Sequence, residues 1–304
     1  MLIFVAVLIQ CVELTSTASR KNIPLSLHVF LCRRRYTTKL PPRENYKGFD
    51  CMHIYQYTDL NAVKKILKTG KLWATHYKYL NDYSEVLKGI EILVDSISDT
   101  KKLSNTEKNA LKKETMNSLD DLDIFVSSLC LAGDELTMWR TYGNCAVIFN
   151  MSLVTLALTC EGSFRQNSVE SCVYPKNNKD INLSRQFDSL LFLYDEYYLG
   201  SHKDWFISSL VYDATSIKHD AFYAEQEHRA VVSLNKTDNT PILYRKRGEK
   251  DIPYIEMVLP QSCIEGVFIG PGKDQDKLVL DMKEFLQENK FDNVVIYKSS
   301  IPFV

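Results

Sequence analysis

The order of elements along this chain predicts an α+β fold, a single mixed-sheet domain with flanking helices. Three observations carry that prediction. Short aromatic and β-branched runs, such as His53-Ile54-Tyr55-Gln56-Tyr57, recur along the chain. Between them lie stretches with apolar residues at helical spacing. Beyond Met52 there is neither an internal repeat nor a Gly/Ser linker, so residues 52–304 read as one α+β domain.

The first strand candidate, His53–Tyr57, is followed by Thr58 and Asp59, which supply helix N-cap chemistry. Leu60, Val63, Ile66 and Leu67 then repeat at helical spacing, and Gly70 is placed to end that helix. Lys71-Leu72-Trp73-Ala74-Thr75 reads as a second strand. After the loop Tyr79-Leu80-Asn81-Asp82, a helix carries Val86, Leu87, Ile90, Leu93, Val94 and Ile97 on one stripe. Residues 101–121 are rich in lysine and glutamate and predict a solvated helix at most.

Phe125–Cys130 and Ala146–Phe149 are further strand candidates on either side of Met138–Gly143. Between 152 and 222 the pattern is mainly helical, with a strongly aromatic stretch from Phe187 to Tyr198. Arg229–Leu234, Ile242–Tyr244 and Tyr254–Leu259 read as strands, the last two joined through the turn-rich Arg247-Gly248-Glu249-Lys250. The chain closes with Val267-Phe268-Ile269, a helix bearing Leu278, Met282, Phe285 and Leu286, and Val294-Val295-Ile296-Tyr297. That order predicts a strand–helix–strand unit with a right-handed crossover.

The first 51 residues do not fit this pattern. Met1–Ile9 resembles the apolar core of a signal peptide but lacks a preceding basic residue. It is also shorter than the roughly 20 apolar residues that cross a bilayer. Residues 1–51 are read as a leader-like or spurious N-terminal extension, largely irregular, with secretion as the competing reading. The body reads as cytoplasmic, with no membrane association.

The 37 basic and 38 acidic side chains nearly cancel, so nucleic acid is not favoured as a partner. None of the eight cysteines forms a C-x-x-C pair, and several lie in apolar runs, as free buried thiols do. Neither cysteines nor histidines have metal-ligand spacing, and no metal is expected.

Four local signals could carry chemistry, each with an ordinary structural alternative. Tyr57 and Thr58, with Asn81, Asp82 and Glu85, place polar groups after a strand and in a loop, or simply cap and turn the chain. Met138-Trp139-Arg140-Thr141-Tyr142-Gly143 joins two aromatics to an arginine, suited to a planar ring with phosphates, or to anchoring a helix. Glu225-Gln226-Glu227-His228-Arg229 leads into a strand. If that strand begins early, Glu225 and Glu227 share a side and raise at least one carboxyl pKa; the alternative is a solvated edge paired to Arg229. Gly270-Pro271-Gly272-Lys273 is an anion site or, more simply, a strand-to-helix turn.

In this order the motifs resemble a bacterial family known as domain of unknown function twenty-nine seventy-one. The residues that carry the resemblance are Tyr55-Gln56-Tyr57-Thr58, Trp73, Asn81-Asp82 with Glu85, Ser127-Ser128-Leu129-Cys130, Met138–Gly143, Glu225–Arg229 and Ser299-Ser300-Ile301-Pro302. A more distant similarity is to ADP-ribosyltransferases, with Tyr57-Thr58 through Gly70-Lys71-Leu72 as the opening unit, Ser127-Ser128 as the serine strand and Glu225-x-Glu227 as the catalytic turn. That similarity implies an NAD-dependent ADP-ribosyltransferase-like enzyme, in bacterial conflict or phage defence, with NAD as co-substrate and an acceptor that is a protein or a nucleotide. Glu227 and Glu225 would be catalytic. Tyr57, Thr58, Trp73, Asn81, Asp82, Ser128, Trp139, Arg140, Tyr142 and Arg229 would bind substrate. The first strand departs from the pattern, offering Gln56 and Tyr57 where those enzymes carry His or Arg. Two other readings stand beside it: a non-catalytic nucleotide-sensing or protein-binding module, and a metal-dependent hydrolase or nuclease using Asp82, Glu85, Glu225 and Glu227.

Overall fold

A computed structural model describes residues 52–81, 83–160, 166–176, 185–200, 202–234 and 238–302. The leader-like segment and Asp82 lie outside the described residues. The remainder is α+β: ten strands form one mixed sheet with helices packed against it. Among the described residues no helix is long and apolar enough to cross a membrane.

The N-terminal unit follows from its punctuation. β1 (His53–Thr58) passes through Asp59, whose carboxylate accepts from the Ala62 amide at 2.9 Å, into α1 (Leu60–Thr69). Gly70 ends that helix at φ 65°, with its N–H on the Ile66 carbonyl, and a Cβ there would lie 2.4 Å from the Leu259 carbonyl oxygen. β2 (Lys71–His76) and α2 (Tyr83–Lys101) follow. The lysine- and glutamate-rich stretch forms α3 (Asn105–Asn117), started by a Ser104/Glu107 capping box and burying Leu111 and Thr115.

β3 (Ile124–Cys130) is the branch point of the sheet. Along its whole length it pairs antiparallel with β6 (Glu227–Ser233), which pairs in turn with β5 (Gln166–Ser171). Its other side is shared. β1 meets only its end, at Tyr55 opposite Cys130, and β2 only its beginning, at Thr75 opposite Val126. From β1 the sheet continues through β4 (Cys145–Asn150) and β9 (Ile264–Ile269) to β10 (Val295–Lys298). From β2 it continues through β8 (Lys250–Val258) to the edge strand β7 (Leu243–Arg247).

Alternation along β3 and β6 assigns the two faces. Phe125, Leu129, Ala230 and Val232 join a core with Val63 and Leu67 of α1, Leu153 and Leu158 of α5 (Met151–Cys160), and Met282 and Phe285 of α8 (Gln275–Glu288). Val126 and Val231 face the other way. They pack against Ile90 and Val94 of α2, Phe187 of α6 (Arg185–Leu193) and Phe206 and Leu210 of α7 (Lys203–Ala214). The aromatic stretch ends α6 in a π-helical turn, Tyr194–Tyr198, whose Tyr194 and Tyr198 rings stack at 5.0 Å.

One element runs against the expectation of a mainly helical 152–222. Gln166-Asn167-Ser168-Val169-Glu170-Ser171 is polar and forms a strand because β6 offers six partners to it, a long-range reward that local pattern does not register. The C-terminal strand–helix–strand is present, β9 and β10 lying parallel with α8 between them.

Candidate functional site

β6 begins at Glu227, directly after a 3-10 turn over Asp220–Glu225 and the left-handed Gln226 (φ 43°). Glu225 therefore comes from the turn rather than from an early start of the strand. The two acids nevertheless meet. Lys218 Nζ donates to Glu225 Oε2 at 2.6 Å and to Glu227 Oε2 at 2.7 Å. Arg229 Nε donates to Glu227 Oε1 at 2.8 Å, its Nη2 to Glu227 Oε2 at 3.2 Å, and its Nη1 to the Thr215 carbonyl. Glu85 of α2 approaches Arg229 Nη2 at 3.5 Å. Glu227, Arg229 and Lys218 are all buried, at 5%, 5% and 7% exposure. The arrangement is an ionic knot tying β6 to α2 and to the segment after α7.

Backbone contacts hold the knot in register. The Glu227 N–H donates to Tyr174 Oη at 2.8 Å, and its carbonyl accepts from the Cys172 N–H at 2.9 Å. Val173 bonds to the Ser216 carbonyl and the Lys218 N–H to the Val173 carbonyl, at 2.8 and 2.9 Å. The Cys130 thiol donates to the Glu225 carbonyl at 2.7 Å. Charges buried this way are costly unless paired and hydrogen-bonded, and each one here is.

At Glu227 the electrostatics run opposite to a raised carboxyl. Burial pushes the Glu227 carboxyl up, but Arg229 and Lys218 outweigh it and hold the pKa down at about 2. Burial likewise works against the Lys218 ammonium, and Glu227 and Glu225 raise it above the ordinary lysine range. Burial pushes the Cys130 and Cys172 thiols up to about 12, so both are unreactive thiols at neutral pH.

Register puts several of the singled-out residues on one face. Cys130 lies opposite Glu227, and Ser128, exposed, lies opposite Arg229. Tyr55 of β1 lies opposite Cys130, which places Tyr57 on the same face two residues on. Tyr57 itself is buried: its hydroxyl donates to the Ala132 carbonyl at 2.6 Å and its ring meets Trp139 edge-on at 4.5 Å. Trp139 sits in α4 (Leu136–Tyr142) and donates from Nε1 to Asp134 at 2.8 Å. Asp134 also accepts from Ser299 Oγ and the Ser300 N–H, clasping the C-terminal segment over this cluster. Tyr57 and Trp139 thus pack as a pair beside the knot, while Arg140 points outward, exposed.

Tyr142, at the end of α4, is 38% exposed; burial and the nearby Glu225 charge raise its phenol pKa. Gly143 then turns at φ 138°, where a Cβ would lie 2.4 Å from the Thr58 carbonyl oxygen at the end of β1. Exposed aromatics flank the turn as well. The Phe222 ring lies 4.8 Å from Lys218 Nζ, and Tyr223 meets Tyr174 edge-on at 5.4 Å.

Trp73 and Asn81 are not brought to the knot. Trp73 is on β2 in the β2–β8–β7 branch, and Asn81 accepts from Arg247 of β7 at 3.2 Å. Local pattern assigns no role to Lys218, Tyr174, Thr215 or Cys172. A lysine closing the run Thr215-Ser216-Ile217-Lys218 is the one signal available, since a buried lysine demands an acid. His228, also given no role, has its Nε2 2.7 Å from Ser171 Oγ. Glu85, Glu225 and Glu227 do approach one another, but Lys218 and Arg229 stand between them. Among the described residues no group of three or more His, Cys, Asp or Glu is arranged to hold a metal ion.

No family model matches the chain, and neither a curated protein nor a solved structure matches it.

Proposed function

We propose that the chain is an ADP-ribosyltransferase-like enzyme that uses NAD, with the Glu225–Glu227 turn at its reacting centre. One observation supports this reading above the others. The first strand, the serine strand and the E-x-E strand, far apart in sequence, are neighbours in the order β1–β3–β6, with Ser128, Cys130, Glu227 and Arg229 on one face. In the reaction the bond between ribose C1 and nicotinamide breaks, a bond to the acceptor forms, and the acceptor proton leaves to Glu225 or solvent. Glu225 is the more accessible acid, its side chain 13% exposed against 5% for Glu227. Glu227, ionised down to about pH 2, is a fixed negative charge beside the developing oxocarbenium-like centre.

A second reading is a nucleotide-binding module without turnover. It is favoured by a specific fact: both Glu227 oxygens are already engaged by Arg229 and Lys218. Incubating the full chain with labelled NAD and a bacterial lysate separates the two. Nicotinamide release and label transfer, abolished in a folded Glu225→Gln variant, support the transferase. No turnover, with NAD raising the melting temperature, supports the binding module. A folded protein that neither turns over NAD nor is stabilised by it overturns both.

A further inference from the structure

The β2–β8–β7 branch carries a second polar constellation, away from the knot. On one face of these strands stand Trp73 and Glu256, with Thr75 and Tyr254 buried beside them and Arg245 and Arg247 on the edge strand. Trp73 is 39% exposed, and its ring lies 4.5 Å from that of Tyr254. The Arg245 guanidinium sits 5.5 Å from the Trp73 centroid and 6.0 Å from that of Tyr254, donating to Thr75 Oγ1 at 3.0 Å. Arg247 donates to Asn81 Oδ1 at 3.2 Å and to the Tyr79 carbonyl at 2.9 Å.

Both guanidiniums are thus oriented by neutral acceptors, and among the described residues neither has a carboxylate partner. Burial first, and then the Arg247 charge, lower the pKa of Arg245. The single carboxylate on this face of the three strands, Glu256, is neutralised by Lys71 at 2.6 Å. Two fixed arginines two residues apart on a strand, about 7 Å from each other and without a carboxylate partner among the described residues, invite anions at a regular spacing. The half-exposed indole beside them offers a flat apolar surface. β7 is an edge strand, so the face is open at its side and suits an extended polymer better than a small ligand that needs enclosure.

We propose that this face binds single-stranded nucleic acid, a base stacking on Trp73 and backbone phosphates pairing with Arg245 and Arg247. The near-zero net charge of the whole chain argued against such a partner; the charge that matters is local. Guanidiniums on phosphates and aromatics under bases are the two contacts on which sequence-tolerant single-strand binding rests.

The test is fluorescence anisotropy of the full chain with a labelled single-stranded oligonucleotide, tried as DNA and as RNA. It is measured at roughly 50 mM and 200 mM salt, where phosphate contacts declare themselves. Saturable, salt-sensitive binding is expected, with AMP a poor competitor. Arg245→Ala with Arg247→Ala should weaken it at least tenfold and reduce the salt slope by roughly 1.4. Trp73→Ala should weaken it on the order of tenfold, with partial recovery in Trp73→Phe. Melting curves confirm that each variant is folded. No anisotropy change with folded protein, binding indifferent to all three substitutions, or equal competition by AMP overturns the proposal. Activity on NAD does not bear on it, because Glu225 and Glu227 are left intact.

Discussion

Arginine plays opposite parts in two regions of this molecule. In the knot, Arg229 is buried and fully engaged, with Glu227 on one side, the Thr215 carbonyl on another and Glu85 nearby. In the β2–β8–β7 branch, Arg245 and Arg247 are held just as definitely, but by a hydroxyl, an amide oxygen, a carbonyl and two aromatic rings. The difference follows from water. A dry guanidinium must have its countercharge inside the protein, whereas a wetted one can keep it outside and exchange it for a ligand's. Burial thus sorts equivalent side chains into ones that hold the fold and ones available to bind.

The sharpest way to break this comparison is to remove a countercharge. Glu227→Gln leaves Lys218 and Arg229 buried without it, and urea unfolding should show a loss of about 3–5 kcal/mol. A loss below about 1 kcal/mol would mean that the knot is solvated after all.

Acid should do the same more gently. The Glu227 carboxyl lies below its ordinary 4.5, at about 2 in the folded protein. A depressed pKa stabilises the fold above the unfolded value, and that stability disappears as pH falls through the folded one. Between pH 4.5 and 2 the wild type should therefore lose about 3 kcal/mol that Glu227→Gln does not. Parallel stability–pH curves for the two proteins would refute the assignment.

The smallest effect belongs to the open branch. Arg247→Ala removes an exposed side chain whose partners among the described residues are neutral, so thermal unfolding should move by no more than about 0.5 kcal/mol. A larger change would place Arg247 among the residues that hold β7 in the sheet.

Legibility followed the same division between near and far. Asp59 and Gly70 announce both ends of α1, because caps are made within three or four residues. β5 went unread since its polar residues form a strand only against β6. At the site, Glu225, Glu227 and Arg229 were legible as a charged motif opening a strand. The sign of the Glu227 shift was not, because it depends on Arg229 and Lys218 both closing on one buried carboxylate, and Lys218 comes from nine residues away, folded back over the turn. Tyr57 and Trp139 show a similar gap. Each was legible as an aromatic beside polar groups, yet their mutual contact spans two elements and makes them packing partners.

What the sequence alone determined is the α+β class, most element boundaries, the burial of the cysteines that are described and the segments worth inspecting. These rest on periodicity, capping and turn chemistry, which act between near neighbours in the chain. Only the tertiary structure decided the branching of the sheet at β3, the closure of the knot around Glu227 and the separation of Trp73 and Asn81 from it. Those depend on which distant strands share an edge and how much water is left around each charge, and neither quantity is a property of any local stretch of residues.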